Sequence, residues 1–429
     1  MDYLNVFPLV EKIDNIVPAS ELIDESQMPP KSDQYVSDKL FDKIPDIEYN
    51  ENYSKSYEDI VNKQHHDNQF MNLSQKFKNP FPTWFKLSKI AFIVLCAVHG
   101  FFRDIKKLTT KENLENVTKS LPQNTPDITK PMENSEQIRY TWIGHSTFYI
   151  EHNGVKILTD PVFSNRASFS QFVGPERIVN LPLEICQLNG VDIVIISHDH
   201  YDHLDLASIM ELEKCHKPTY YVPLGKKSWF TAKPVIYDLF NRYPQVDSDR
   251  VIELDWFESH QHESKTSNIT MHFVPVQHWS VRNGLDEMSS LWGGWIIESK
   301  LCENNTKKIF FAGDTGYCEI FKDIGRKYGK IDLSFIPIGA YGTDKTRPFL
   351  RNQHIDPSEA IAIAHDTKSE CVVGMHWGTF VLTPEPIMEP KEILSKLLSK
   401  FKTLFENNIN WLKPDNWFTT MNHGETRII

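Results

Sequence analysis

From about residue 137 onward, short apolar runs alternate with polar turns. Three β-rich runs come first, separated by turn-like GHS and HNG: IRYTWI (138–143), TFYIE (147–151) and VKILT (155–159). The run DIVIIS (192–197) is apolar almost throughout, which predicts a strand buried on both faces. The segment DPSEAIAIAHD (356–366) has a helical pattern, with Asp356 as the candidate N-cap. This alternation of strands and helices favours a layered α/β fold.

The loop after the buried strand carries the strongest chemical signal. It reads SHDHYDH (197–203), so three histidines and a carboxylate lie within six consecutive residues. Neutral imidazole and carboxylate are ligands of zinc and other first-row metals. A solvated polar loop is the weaker interpretation, because chance gives this pattern in on the order of one chain in a thousand. An H-x-H pair also opens the metal site of amidohydrolase barrels, but the added Asp202-His203 argues against that fold.

Three later apolar runs also end in a histidine or an aspartate. They are PVQHWS (275–280), FAGDTG (311–316) and GMHWG (374–378). A single histidine at a strand end is more often structural than a ligand, but four such ends together predict one metal centre. We expect His198 and His200 to face one ion, and Asp202 and His203 to face its neighbour. The seven candidate ligands are His198, His200, Asp202, His203, His278, Asp314 and His376.

Charge divides the chain into three parts. The net charge is −11, which disfavours a nucleic-acid binder. Residues 1–60 contain 14 acidic and 5 basic residues, so we expect residues 1–72 to be an acidic, mostly disordered tail. Residues 73–136 are expected to form a basic and apolar membrane-proximal segment that ends in a polar linker. The catalytic domain is expected at residues 137–429.

The apolar run IAFIVLCAVHGFF (90–102) lies inside that basic segment. As a helix it would be about 20 Å long, whereas the hydrocarbon layer of a bilayer is about 30 Å thick. Each flanking basic residue adds about 1 kcal/mol of attraction near anionic lipid. We therefore expect residues 84–107 to hold the protein on a membrane surface without crossing it. The alternative is an ordinary helix buried against the catalytic domain.

The six cysteines are scattered, with no C-x-x-C pair. In a chain of this length they predict reduced thiols in a cytosolic compartment. The first ten residues, MDYLNVFPLV, lack a basic region and an apolar core, so no signal peptide is expected.

The motifs resemble the metallo-β-lactamase superfamily, and within it the N-acylphosphatidylethanolamine-hydrolysing phospholipase D family. The resemblance covers roughly residues 76–429 and extends to segments without candidate ligands. These segments include NPFPTW (79–84), TDPVFSNRASFSQFVGPERI (159–178), IELDWFE (252–258), IPIGAY (336–341) and NHGETR (422–427). The resemblance implies a four-layer αββα sandwich with two zinc ions at one edge.

The resemblance also implies a role for each site residue. The implied ligands of the first zinc ion are His198, His200 and His278, and those of the second are Asp202, His203 and His376. Asp314 resembles the carboxylate that bridges both ions. Gln353 and His354 match positions that face the substrate phosphate. Asp160 resembles a carboxylate that orients the metal loop.

The implied activity is hydrolysis of N-acylphosphatidylethanolamine to N-acylethanolamine and phosphatidic acid. The expected partners are this lipid, other membrane phospholipids and a membrane surface, and no nucleic acid is expected. The resemblance also implies that the protein forms a homodimer. The expected location is the cytosolic face of internal membranes, as a peripheral protein. Two alternatives stay open: another hydrolase of the same fold, such as a nuclease or lactonase, and a membrane-binding scaffold without activity.

Overall fold

A computed structural model describes the chain at residues 76–81, 83–86, 88–130, 132, 134, 136–232, 243–262, 267–303, 305–405 and 417–429. Its architecture rests on two seven-stranded sheets. The first sheet contains β1 (Ile138–Gly144), β2 (Thr147–His152), β3 (Val155–Thr159), β4 (Ile193–Ile195), β5 (Thr219–Pro223), β6 (Val251–Leu254) and β14 (Thr426–Ile428). The second contains β7 (Ser259–His262), β8 (Asn268–Val274), β9 (Gly294–Cys302), β10 (Asn305–Phe311), β11 (Leu333–Pro337), β12 (Val372–Met375) and β13 (Phe418–Thr419).

Each sheet combines antiparallel and parallel strands. The first has the order β14-β1-β2-β3-β4-β5-β6, and the second β13-β12-β11-β10-β9-β8-β7. The strands β3 to β6 pair in parallel, as do β10 to β13. Parallel strands bring their carboxyl ends to the same edge of a sheet, which is where polar site residues collect in such folds.

The two sheets pack face to face, and side-chain alternation along each strand builds the cores. Phe148 on β2 contacts Phe335 on β11 across the sheets, with ring centroids 4.1 Å apart. The next residue, Tyr149, points to the opposite face and joins a second core with Ile209 and Leu212. The predicted buried strand shows the same alternation on both faces, which confirms the prediction for residues 193–195.

Helices cover the outer faces of the sheets. Helix α4 (Leu206–Cys215) lies on the first sheet, and α8 (Pro357–Asp366) packs against β11 of the second, beside α6 (Ile320–Lys327) and α9 (Glu389–Phe405). The predicted cap of α8 is confirmed, because the Asp356 carboxylate accepts hydrogen bonds from the amides of Ser358 and Glu359. The four-layer αββα sandwich is therefore confirmed. The described helices are α1 (Lys89–Val98), α2 (Phe101–Leu108), α3 (Lys111–Lys119), α4 (Leu206–Cys215), α5 (Lys227–Thr231), α6 (Ile320–Lys327), α7 (Arg347–Leu350), α8 (Pro357–Asp366) and α9 (Glu389–Phe405).

The apolar run at residues 90–102 forms two helices rather than one. Gly100 adopts a φ of 72°, a conformation that favours glycine, and it separates α1 from α2. Leu95 and Phe101 are buried against Phe349 and Leu350, which follow β11 in the chain. The outer side of α1 stays exposed, since Ile90 keeps 76 % of its surface accessible. Within the part of the chain that the structure describes, no helix is both long and apolar enough to cross a bilayer.

The residues before β1 pack onto the sandwich. Phe81 lies in the core with Trp256, and the Asn352 side chain donates a hydrogen bond to the carbonyl of Phe85. The stretch 112–136, expected to be a polar linker, contains most of α3 and a bridge between Gln123 and His423. The acidic tail predicted at residues 1–72 lies outside the described residues.

The cysteine prediction is wrong for one pair. Cys186 and Cys215 form a disulfide, with their Cα atoms 5.5 Å apart. The remaining four cysteines are free. The pair was missed because 29 residues separate its members, and only the packing of α4 brings them together.

Candidate metal centre

Residues from four strand ends meet at one edge of the sandwich. All seven predicted ligands come together here. They lie on the loop after β4, on the segment after β8, at Asp314 after β10 and at His376 after β12. They form two neighbouring groups, each of which could hold a metal ion. The first consists of His198, His200 and His278, and the second contains Asp202, His203 and His376.

In the first group, three imidazole nitrogens face one another. His200 Nδ1 lies 2.9 Å from His198 Nε2 and 3.2 Å from His278 Nε2. Burial lowers the pKa of His198 and of His278 well below the usual value, so both rings are neutral near pH 7. Neutral imidazole is the form that binds a metal ion.

In the second group, two imidazoles flank a carboxylate. Asp202 Oδ2 lies 3.4 Å from His203 Nε2 and 3.3 Å from His376 Nε2. Burial alone would lower the pKa of His203, but the nearby carboxylates of Asp314 and Asp202 raise it well above its usual value. Burial likewise opposes the charged form of Asp202, yet His203 and its neighbours hold the pKa of this carboxyl well below its usual range.

Asp314 lies between the two groups. Its Oδ2 is 3.2 Å from His203 Nε2 and 3.1 Å from His376 Nε2 of the second group. The same oxygen is 3.9 Å from His278 Nε2 of the first group. One carboxylate oxygen thus faces ligand atoms of both groups, as a bridging ligand would.

The centre fits a bound metal because several inward-facing polar atoms lack other partners. Among the described residues, His203 Nε2, His376 Nε2 and Asp314 Oδ1 are buried without a hydrogen-bond partner. Burying polar atoms without such partners is costly, so native structures rarely contain several in one place. Nitrogen and oxygen atoms converging in this way suit zinc and similar ions.

A network around the metal loop fixes the orientation of its ligands. Asp160 accepts hydrogen bonds from the Ser197 amide at 2.7 Å and the Ser197 hydroxyl at 2.5 Å, and it binds His203 Nδ1 at 2.6 Å. A carboxylate on the outer nitrogen of a histidine leaves the inner nitrogen free for a metal. Between the first two histidines of the loop, the buried carboxylate of Asp199 accepts a 2.6 Å hydrogen bond from Lys226 Nζ.

The two predicted phosphate-facing residues lie beside the centre in different ways. The His354 ring lies 5.3 Å from that of His278 and 5.6 Å from that of His376, so it faces both groups. Burial lowers the pKa of His354 to about 4. Gln353 contributes its backbone, because its carbonyl accepts a 2.9 Å hydrogen bond from His278 Nδ1. This contact orients His278 from behind.

Two residues at the centre were missed by the sequence analysis. Asn79 Nδ2 donates a 2.8 Å hydrogen bond to the carbonyl of His278. His145, in the turn between β1 and β2, lies 3.0 Å from Asp202 through its Nε2 atom. The signal for His145 was a histidine at a strand end, the same signal that marked His278 and His376. The signal for Asn79 was its place in the NPFPTW segment.

This fold and this site define a metallo-hydrolase. A family model described as "Beta-lactamase superfamily domain" matches residues 155–377. A metallo hydrolase from the archaeon Ignicoccus hospitalis has a similar solved structure, with a TM-score of 0.45 and 21% identity over 68% of this chain and 98% of that chain.

Two relatives carry a more specific name. The chain is 35% identical over 332 residues to N-acyl-phosphatidylethanolamine-hydrolyzing phospholipase D 1 of Caenorhabditis elegans, covering 76% of this chain and 86% of the relative. It is 36% identical over 259 residues to the mitochondrial N-acyl-phosphatidylethanolamine-hydrolyzing phospholipase D of Saccharomyces cerevisiae, covering 60% of this chain and 51% of that relative. The chain belongs to the N-acyl-phosphatidylethanolamine-hydrolysing phospholipase D family of the β-lactamase superfamily, and it is a hydrolase.

Proposed function

We propose that the protein is a zinc-dependent phospholipase D that converts N-acylphosphatidylethanolamine to N-acylethanolamine and phosphatidic acid at a membrane surface. The observation that carries the proposal is the position of Asp314 Oδ2, within 3.9 Å of ligand nitrogens from both groups. The names of the worm and yeast relatives support the substrate.

The proposed ligands follow from the two groups. His198, His200 and His278 would hold the first ion, Asp202, His203 and His376 would hold the second, and Asp314 would be shared by both. When bound, a pair of zinc ions supplies an activated water and neutralises charge on the phosphodiester. The chain's own contribution is to fix the ligands through Asp160, the Gln353 carbonyl and Asn79.

His354 is proposed to act on the substrate itself. Its Nδ1 lies 3.7 Å from Asp314 Oδ2, so its ring borders the space between the two groups. From there an N–H group can donate a hydrogen bond to a phosphoryl oxygen as negative charge builds up. The Gln353 side chain is proposed to face the same phosphate. The reaction adds water to phosphorus and breaks the bond between phosphorus and the N-acylethanolamine oxygen.

The protein is proposed to work as a peripheral enzyme on the cytosolic face of internal membranes, because its substrate stays in the bilayer. Helix α1 supports docking, since it is anchored to the catalytic domain through Leu95 while Ile90 faces outward. Leu285 is 90 % exposed on the neighbouring loop, which Lys89 joins through a 2.7 Å hydrogen bond to the carbonyl of Gly284. Assembly as a homodimer is part of the proposal, and light scattering from the purified protein measures it.

The decisive experiment incubates the zinc-loaded protein with N-acylphosphatidylethanolamine and, separately, with phosphatidylcholine. We expect N-acylethanolamine and phosphatidic acid from the first lipid and little reaction with the second. Mass spectrometry identifies both products, and elemental analysis gives the zinc content per chain. A diacylglycerol product would place the cleavage at the other phosphoester bond. Zinc without lipid hydrolysis would favour a nuclease or lactonase, and absence of zinc binding would favour the scaffold alternative.

A further inference from the structure

We propose that His145 is a positioning residue for the second metal ion, holding Asp202 and His376 in their ligand positions. This inference rests on the proposed two-ion site. His145 lies in the GHS turn between β1 and β2, far in sequence from every proposed ligand. Its contacts connect it to the second group of ligands by two separate routes, one through the side chain and one through the backbone.

The side-chain route ends on Asp202. His145 Nε2 lies 3.0 Å from Asp202 Oδ2, the same oxygen that faces His203 and His376. An ionised carboxylate only accepts hydrogen bonds, so the imidazole nitrogen is the donor in this contact. A carboxylate oxygen has two lone pairs, which lets it take an N–H on one side and a metal ion on the other. The His145 ring is 2 % exposed, so water does not compete for this bond.

The backbone route ends on His376. The amide of His376 donates a 3.1 Å hydrogen bond to the carbonyl of His145, and the two rings lie 4.0 Å apart. Trp142 Nε1 donates to the same carbonyl at 3.0 Å. The amide of His145 donates to Thr379 Oγ1 at 2.7 Å. These bonds hold the backbone of His145 on both sides.

The backbone conformation of His145 is uncommon and is held by its contacts. Its φ is 55°, in a region that residues with a side chain adopt rarely. His376 has a φ of 62°, so two neighbouring residues of the centre share this uncommon conformation. Such conformations persist where the surrounding structure fixes them, and they cluster at active sites. Here the hydrogen bonds to Trp142, Thr379 and His376 fix the position.

The experiment measures zinc content in two variants of the full chain. His145→Leu removes the donor while keeping an apolar side chain, and His145→Gln keeps an N–H donor near the position of Nε2. The control is His152→Leu, because His152 is equally buried on the same sheet and its Nδ1 binds the backbone carbonyl of Gln137 at 2.9 Å. Each protein is stripped of metal, reloaded with zinc alone, dialysed and analysed for zinc per chain. Circular dichroism checks the fold.

We expect two zinc ions in the parent, in His145→Gln and in His152→Leu, and about one in a folded His145→Leu. Two ions bound to His145→Leu with the affinity of the parent would overturn the inference. If folded His145→Leu lost both ions, the proposal that His145 acts on the second ion alone would be overturned. If His145→Leu does not fold, the result for His145→Gln decides the question. Two zinc ions bound to His145→Gln would support positioning through a hydrogen bond, and one bound ion would reject it. Fewer than two ions in the parent would instead refute the proposed two-ion site.

Discussion

Asp314 contacts both groups of candidate ligands through one carboxylate oxygen. We predict that Asp314→Asn keeps the fold but removes most of the activity, because an amide carries no negative charge to share between two cations. The substitution is nearly isosteric, so the folded structure should be retained. Zinc content and initial rates on N-acylphosphatidylethanolamine test this prediction.

Asp127→Asn is a matched control for that variant. Asp127 pairs with Lys130 on the surface at 2.9 Å, so its neutralisation should leave zinc content and rate unchanged. If the Asp314→Asn variant hydrolysed the lipid at nearly the rate of the parent, this result would contradict the two-ion mechanism.

His354 tests a different part of the mechanism, since it is not among the proposed ligands. If its ring donates a hydrogen bond to the phosphoryl group, His354→Ala should lower kcat by roughly a hundredfold or more, as does removal of one oxyanion donor. Zinc content should stay at the parental value. His365→Ala, a change at a half-buried position near the end of α8, serves as the control. Loss of zinc, or a change in Tm without a change in kcat, would favour a structural role.

At the level of elements, the loop after β4 depends on the end of β3 for its shape. Asp160 follows β3 directly with a φ of 31°, and it connects to both Ser197 and His203. We predict that Asp160→Asn weakens binding of zinc by about ten- to a hundredfold, as is usual when the outer partner of a ligating histidine is lost. Titration with a zinc chelator measures the affinity.

The matched control for Asp160 is Asp192→Asn. Asp192 precedes the same strand β4 at its other end, where it accepts a 2.8 Å hydrogen bond from the Lys156 amide. This change should leave the zinc affinity at the parental level. If Asp160→Asn kept the affinity of the parent, the loop would be fixed by its other contacts, such as the ion pair between Asp199 and Lys226.

Elements with a clear local pattern could be predicted from the sequence, and contacts between distant segments could not. The strands β1 to β3 follow from β-rich runs bounded by turn residues, and helix α8 follows from its capping residues; both are local properties. The ligand motifs marked seven residues because each ends an apolar run. The Cys186–Cys215 disulfide and the role of His145 depend on tertiary contacts. Of the residues that contact His145, Trp142 is close to it in sequence, whereas Asp202, His376 and Thr379 are far from it in sequence.

For the whole molecule, two exposed apolar residues define a candidate docking patch, Ile90 on α1 and Leu285 on the adjoining loop. We predict that changing both to serine lowers binding to lipid vesicles at least about tenfold, because full burial of each side chain contributes about 1.5–3 kcal/mol. Rates on substrate dispersed in detergent should not change. Met210→Ser, at a 44 % exposed position on α4, is the control. Equal sedimentation of both variants with vesicles would place docking elsewhere.

The basic residues of the membrane-proximal segment should add an electrostatic part to docking. Lys86 and Lys89 already face Glu287 at 2.5 and 4.0 Å, so reversing their charge would also disturb the fold. The sharper change is Lys106→Glu with Lys107→Glu at the exposed end of α2, where Lys107 faces Asp104 of the same helix at 3.2 Å rather than a residue of another segment. We predict that this double variant binds anionic vesicles less tightly at low salt, by about 1 kcal/mol or more for each position. At high salt the variant and the parent should bind alike, because ions screen surface charge. Neutral phosphatidylcholine vesicles provide the control, and on them the two proteins should sediment equally. If the variant sedimented with anionic vesicles as fully as the parent at low salt, these lysines would have no part in docking.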